Sequence, residues 1–156
     1  MTDQQPIHNP HDALFRGVFA DPQRAAELLR GVLREDVIAA TDWSSLERID
    51  ASFVDEELRD HQADLLFRAK VNGRTCYFYI LFEHKSGRYR FAVFQLLRYV
   101  VRIWEQCRAD DPAAEHLPLV LPILVHTGDG PWDSPCNLTE LLDAEGAPEE
   151  LLAMQP

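Results

Sequence analysis

The sequence predicts one α/β domain built on a mixed β-sheet, and three observations carry that prediction. Two amphipathic helical stretches open the chain, an Asn72-Gly73 pair separates two strand-like runs, and a long helical pattern divides that hairpin from a last apolar strand. With 156 residues, 46% of them hydrophobic, the chain can fill one full-sized core and too little is left for a second.

Asn9-Pro10-His11-Asp12 reads as a turn or cap, and Leu14, Phe15, Val18 and Phe19 follow at helical spacing until Asp21-Pro22 interrupts them. Ala25, Leu28, Leu29, Val32 and Leu33 repeat the spacing in a second helix, which the polar segment from Asp36 to Trp43 closes. Ile49, Ala51 and Phe53 alternate with polar residues and predict a first strand. Ala63 to Val71 is an extended run ending at Asn72-Gly73, and its hairpin partner, Thr75 to Glu83, is apolar almost throughout, as a central strand buried on both faces requires. Phe91, Phe94, Leu97, Val101 and Trp104 then recur with a helical period to about Cys107. Leu117 to His126 is a last apolar strand whose Pro118 and Pro122 place it at a sheet edge or a bulge. Residues 1–138 are expected to form the domain, and the weakly helical tail 139–156 to begin a truncated C-terminal region.

Charged residues at 26% and aromatics at 10% set aside disorder and low-complexity classes. No apolar run approaches the roughly 18 to 20 residues of a membrane span, and the opening MTDQQPIHNPHD lacks the basic and apolar regions of a signal peptide. Cys76, Cys107 and Cys136 are widely spaced with no C-x-x-C pair, so a reducing cytoplasm is the expected location, with no membrane partner. The formal charge of -11 argues against a general grip on polyanions, yet from Leu65 to Arg108 nine cations face only two anions. That asymmetry is either a solvated surface or a footprint for an acidic partner.

Chemistry concentrates at the open end of the hairpin. Counting outward from Asn72-Gly73 sets Asp64 opposite Leu81, in diagonal reach of Glu83, and alternation puts Glu83 and Lys85 on the same face as Asp64. Two carboxylates at strand ends suit a hard divalent cation such as Mg2+ or Mn2+. An ammonium beside them can orient an attacking water or offset charge on a phosphorane.

Asp64 followed by Glu83-His84-Lys85 at the end of an apolar strand resembles the PD-(D/E)xK nuclease core. Gln95-Leu-Leu-Arg-Tyr99 is similar to the Q-x-x-x-Y signature of RecB-like nucleases, in which glutamine and tyrosine share one helical face. His11-Asp12-x-x-Phe15, Ala63-Asp64-Leu-Leu-Phe-Arg68, Leu81-Phe-Glu-His-Lys-Ser86, Arg98-Tyr99 and Leu117-Pro to Gly128-x-x-Pro-Trp132 together resemble the Rpn family of recombination-promoting nucleases, also described as YhgA-like transposases. The resemblance spans nearly the whole chain. It implies a restriction-endonuclease-like αβββαβ core with a mixed central sheet flanked by helices, and Mg2+- or Mn2+-dependent DNA endonuclease activity serving recombination. Asp64 and Glu83 would be metal ligands, with the His84 backbone carbonyl and Asp12 as further candidates. Lys85 and Gln95 would join the two acids in catalysis, and Arg88, Arg90, Arg98, Arg102 and Tyr99 would contact DNA. Many members of the family carry Gln at the position of Lys85, and Ala63 stands where the short motif has proline.

The plain alternatives are that Asp64 caps a strand and that Glu83-His84-Lys85 is an exposed terminus making ion pairs worth under about 1 kcal/mol. Asp12 is either a helix N-cap or an additional acid, and alternation turns the His84 side chain away from Glu83. Tyr77, Phe78, Tyr79 and Phe82 read as core, and Trp104 and Trp132 as packing residues. A transposase-derived DNA-binding or protein-interaction module with a weak or silent nuclease site is the alternative function, and the sequence leaves a homodimer open.

Overall fold

The structure, a computed structural model, describes residues 10–50, 64–83, 90–128 and 130–153. The chain opens with α1 (Pro10–Phe19), α2 (Pro22–Val32) and the short α3 (Glu35–Ala40), which runs directly into β1 (Thr41–Ile49). The hairpin β2 (Asp64–Val71) and β3 (Arg74–Glu83) follows, then α4 (Ala92–Asp110), β4 (Leu119–His126), a 3-10 turn at Leu138–Leu141 and α5 (Glu149–Ala153). The sheet order is β1-β2-β3-β4, with the first two pairings antiparallel and β3-β4 parallel. The mixed sheet flanked by helices is the one expected, and it has the make-up of a restriction-endonuclease-like core.

Asp21-Pro22 is a helix start rather than a bare interruption: the Asp21 carboxylate accepts from the Gln23 and Arg24 amides at 2.9 and 3.2 Å, with Pro22 in the first turn. The hairpin turn has Asn72 at φ 48° and Gly73 at φ 75°, the two left-handed positions of a type I′ turn. Nothing lies within 4 Å of a side chain at Gly73, so backbone conformation, not space, selects glycine there.

The chain enters the sheet eight residues earlier than the alternation at Ile49 predicts, at Thr41, while Ala51 and Phe53 lie outside the described residues. The strand signal is hidden by an irregularity between Asp42 and Glu47, where β1 spends five steps against two on β2. Side-chain oxygens replace ladder partners there. Ser45 Oγ accepts from the Lys70 amide at 2.8 Å, and Asp42 Oδ1 accepts from the Ser44 amide at 3.1 Å and hydroxyl at 2.6 Å. A polar segment therefore reads as loop although it is woven into the sheet.

β3 is buried from Cys76 to Phe82, as a strand covered on both faces should be. One face, through Leu65, Phe67, Phe78, Ile80 and Phe82, packs under α1 and α2, where Phe15 and Phe19 stack on Phe82 at 5.8 and 5.7 Å. The other face, through Leu66, Tyr77, Tyr79 and Leu81, takes Leu96, Tyr99 and Ile103 of α4. The stripe expected to be buried on α4 is displaced around the helix: Ala92, Leu96, Tyr99, Val100 and Ile103 are buried, whereas Phe91 and Phe94 are each 55% exposed and Val101 41%. This helix is apolar over more than half its circumference, so periodicity alone does not select the arc. The aromatic sheet face does, by bringing the Tyr79 and Tyr99 rings together, tilted by 52° at 4.9 Å between centroids. β4 is an edge strand, which accommodates Pro122 beside Tyr79.

Candidate active site

The hairpin register sets Asp64 against Leu81, two residues short of Glu83, and β4 sets His126 against Glu83. Leu66 and Leu81 belong to the face under α4, so strand alternation assigns positions 64 and 83 to that same face. Diagonal neighbours of this kind have Cα atoms about 7 to 8 Å apart, a span two carboxylates can share through one cation. Both positions fall at strand ends.

α4 runs back over this face. Tyr99 lies against Tyr79, and Trp104 Nε1 further along donates to the Pro118 carbonyl at 2.9 Å, so the helix is antiparallel to β3 and its first turns approach the Leu81–Glu83 end. Gln95 is one turn before Tyr99 on the same side, and its Nε2 donates to Tyr99 Oη at 3.2 Å. Tyr99, expected to contact DNA, is instead buried in the core against Tyr79, and Gln95 is half-buried, so the pair holds a polar group at the edge of an apolar face.

His84, Lys85 and Arg88 lie outside the described residues, as do the side chains of Asp12, Asp64 and Glu83. Asp12 itself sits in the first turns of α1, the helix whose Phe15 and Phe19 cover the opposite face of the sheet at Phe82. Arg90 Nη2 donates to the Glu140 carbonyl at 3.4 Å, Arg98 is exposed on α4, and Arg102 pairs with Glu105 at 3.0 Å.

Sequence reasoning treated His126 only as the end of an apolar strand. Its position follows from the parallel β3-β4 register, which cannot be read from spacing; the signal available was its parity with Val120 and Leu124, both packed on the α4 face. His126 Nδ1 is buried without a hydrogen-bond partner among the described residues, and the ring meets Trp132 edge-on at 5.4 Å.

Among the described residues the resolved electrostatic perturbations lie at the other end of the sheet. Burial pushes the Tyr77 phenol up, assisted by Cys107 and opposed by Arg68, while Glu47 raises the Arg68 guanidinium. Arg68, Tyr77 and Cys107 line a pocket of about 430 Å³ with Thr75, Arg108 and His116. Tyr77 is six residues from Glu83 along β3, roughly 20 Å at strand rise, so this pocket is separate from the carboxylate positions.

The mixed sheet, its flanking helices and two acidic positions at the open end of a hairpin define an α/β protein of the restriction-endonuclease-like class. The chain belongs to the family described as "Putative transposase, YhgA-like", whose model matches residues 9–155. It is 34% identical over 137 residues to recombination-promoting nuclease RpnD of Escherichia coli O157:H7, covering 86% of this chain and 52% of that protein. It is 31% identical over 119 residues to recombination-promoting nuclease RpnA of Escherichia coli K12, covering 76% and 40%. It is also 28% identical over 121 residues to the inactive recombination-promoting nuclease-like protein RpnE of that strain, covering 78% and 40%. The chain thus spans about half or less of the length of these relatives. No solved structure matches it. Among the described residues no helix is long and apolar enough to cross a membrane.

Proposed function

We propose that this chain is the nuclease domain of a divalent-cation-dependent DNA endonuclease, acting in the cytoplasm and supplying the strand breaks from which recombination starts. The observation that carries the reading is the register placing Asp64 diagonal to Glu83 on the face that α4 covers with its Gln95–Tyr99 pair. The donor set fits the ion: two carboxylates, with the His84 backbone carbonyl as a third oxygen, are hard ligands at a strand end. When bound, Mg2+ or Mn2+ supplies Lewis acidity toward the phosphoryl oxygen and lowers the cost of charge built up in an in-line displacement. Asp64 and Glu83 hold that charge in place. Lys85 orients the attacking water and offsets developing negative charge, and Gln95 contacts the substrate or Lys85. Arg88, Arg90, Arg98 and Arg102 meet phosphates along the DNA backbone, with Tyr99 supporting the helix that presents them.

A second reading, a DNA-binding or protein-interaction module with a silent site, is favoured by one finding: relatives as similar as RpnE are named inactive. Incubating supercoiled plasmid with the purified chain and Mg2+ or Mn2+ separates the two. Nicking or linearisation that needs the cation, and that Lys85→Ala reduces by about 100-fold, supports the nuclease. Equal cleavage by Lys85→Ala and wild type moves catalysis to a different active site, and cleavage by neither favours the silent module.

A further inference from the structure

Beside the Asp64 and Glu83 positions, β4 brings a third potential ligand that the nuclease motif does not include. His126 pairs directly with Glu83, so adjacent strands set the two positions about 5 Å apart. Val120 and Leu124 share its parity and pack on the α4 face, the face assigned to Asp64 and Glu83. Along that side of the strand an apolar residue would be the ordinary choice, yet an imidazole stands there with Nδ1 buried and unpaired among the described residues. Leaving a buried polar atom unpaired costs about 1 to 3 kcal/mol, and a buried nitrogen lone pair is satisfied by a donor or by a cation. Trp132, edge-on at 5.4 Å, fixes the ring without offering a hydrogen bond to Nδ1.

We propose that His126 is a nitrogen ligand of the cation held by Asp64 and Glu83, giving a centre of two carboxylates and one imidazole that favours a first-row transition ion such as Mn2+ over Mg2+. The inference rests on the metal-dependent nuclease reading and adds a ligand and a metal preference to it. Imidazole nitrogen binds transition ions more readily than Mg2+, which keeps to oxygen and water. His126 therefore moves the preference of an otherwise oxygen-only site.

The test loads the full chain with Mn2+ alone and records pulsed electron paramagnetic resonance, in which a directly coordinated 14N modulates the Mn2+ echo. Wild type should give the nitrogen modulation, His84→Ala should keep it, and His126→Phe, which retains a ring against Trp132, should lose it. Mn2+ affinity should fall by at least about tenfold in His126→Phe while Mg2+ affinity changes less. Should His126→Phe fail to fold, His126→Gln is the second variant, and 15N-histidine labelling of wild type identifies imidazole coordination without a substitution. Bound Mn2+ without nitrogen modulation, or modulation that survives loss of His126, overturns the proposal while leaving the nuclease reading intact. Failure of wild type to bind either ion overturns the metal-dependent reading itself.

Discussion

At Cys76 burial alone pushes the thiol up to about 11, and its Sγ lies 3.8 Å from the Tyr77 carbonyl. A thiol in the unfolded chain ionises near about 8.5, so the fold holds its proton at pH values where the unfolded chain releases it. Stability is therefore full below that value and falls as pH rises toward 11, by up to about tenfold in the folding equilibrium per pH unit. Tyr77 adds to the slope at the upper end because its phenol is also raised. Denaturant melts across this window should show the loss in wild type and a shallower slope in Cys76→Ala. Lys85 provides the other residue-scale forecast. Lys85→Gln should retain part of the cleavage that Lys85→Ala loses, since an amide can hold a water by hydrogen bonding without supplying charge. Single-turnover rates on one DNA substrate rank the three proteins.

α4 separates residues that look equivalent in sequence. Phe94 and Ile103 are both large apolar residues of one helix, but Phe94 is 55% exposed and Ile103 is 1% exposed within the cluster on the α4 face of the sheet. Ile103→Ala should destabilise the fold by about 2 to 5 kcal/mol through lost burial and the cavity left behind. Phe94→Ala should change it by less than about 0.5 kcal/mol. Equilibrium denaturation of the two variants measures the difference, and similar losses would contradict the observed face. The hairpin was legible in the sequence because Asn72-Gly73 supplies both positive-φ residues of its turn, and the register of every β2-β3 pair follows from that local choice. β1 was not legible over its first eight residues, because Asp42, Ser44 and Ser45 satisfy the backbone with side-chain oxygens and so carry no alternation.

Across the whole molecule the charge of -11 would repel DNA, while the cations from Leu65 to Arg108 would attract it in the proposed function. Arg102 would exchange its exposed pair with Glu105, worth under about 1 kcal/mol, for a phosphate. If Arg88, Arg90, Arg98 and Arg102 each meet one phosphate, log affinity falls with log salt at a slope of about 3.6. That is roughly 100-fold between about 50 and 200 mM. Arg90→Ala should reduce the slope by about one, measured by fluorescence anisotropy on a short duplex; an affinity indifferent to salt would place DNA elsewhere on the surface.

What the sequence determined by itself is the local and the periodic: the break between the first two helices at Asp21-Pro22, the hairpin about Asn72-Gly73, the central strand buried on both faces, and hence the diagonal relation of Asp64 to Glu83. The pairing of Gln95 with Tyr99 was equally legible, being one helical turn. Tertiary structure decided which arc of α4 faces the sheet and that His126 stands beside Glu83. Both depend on contacts between segments far apart in the chain, where no turn or period links one residue to the other. Packing against a particular surface, the aromatic face of β3 for the helix and its free edge for β4, selects among arrangements that the local pattern leaves equal.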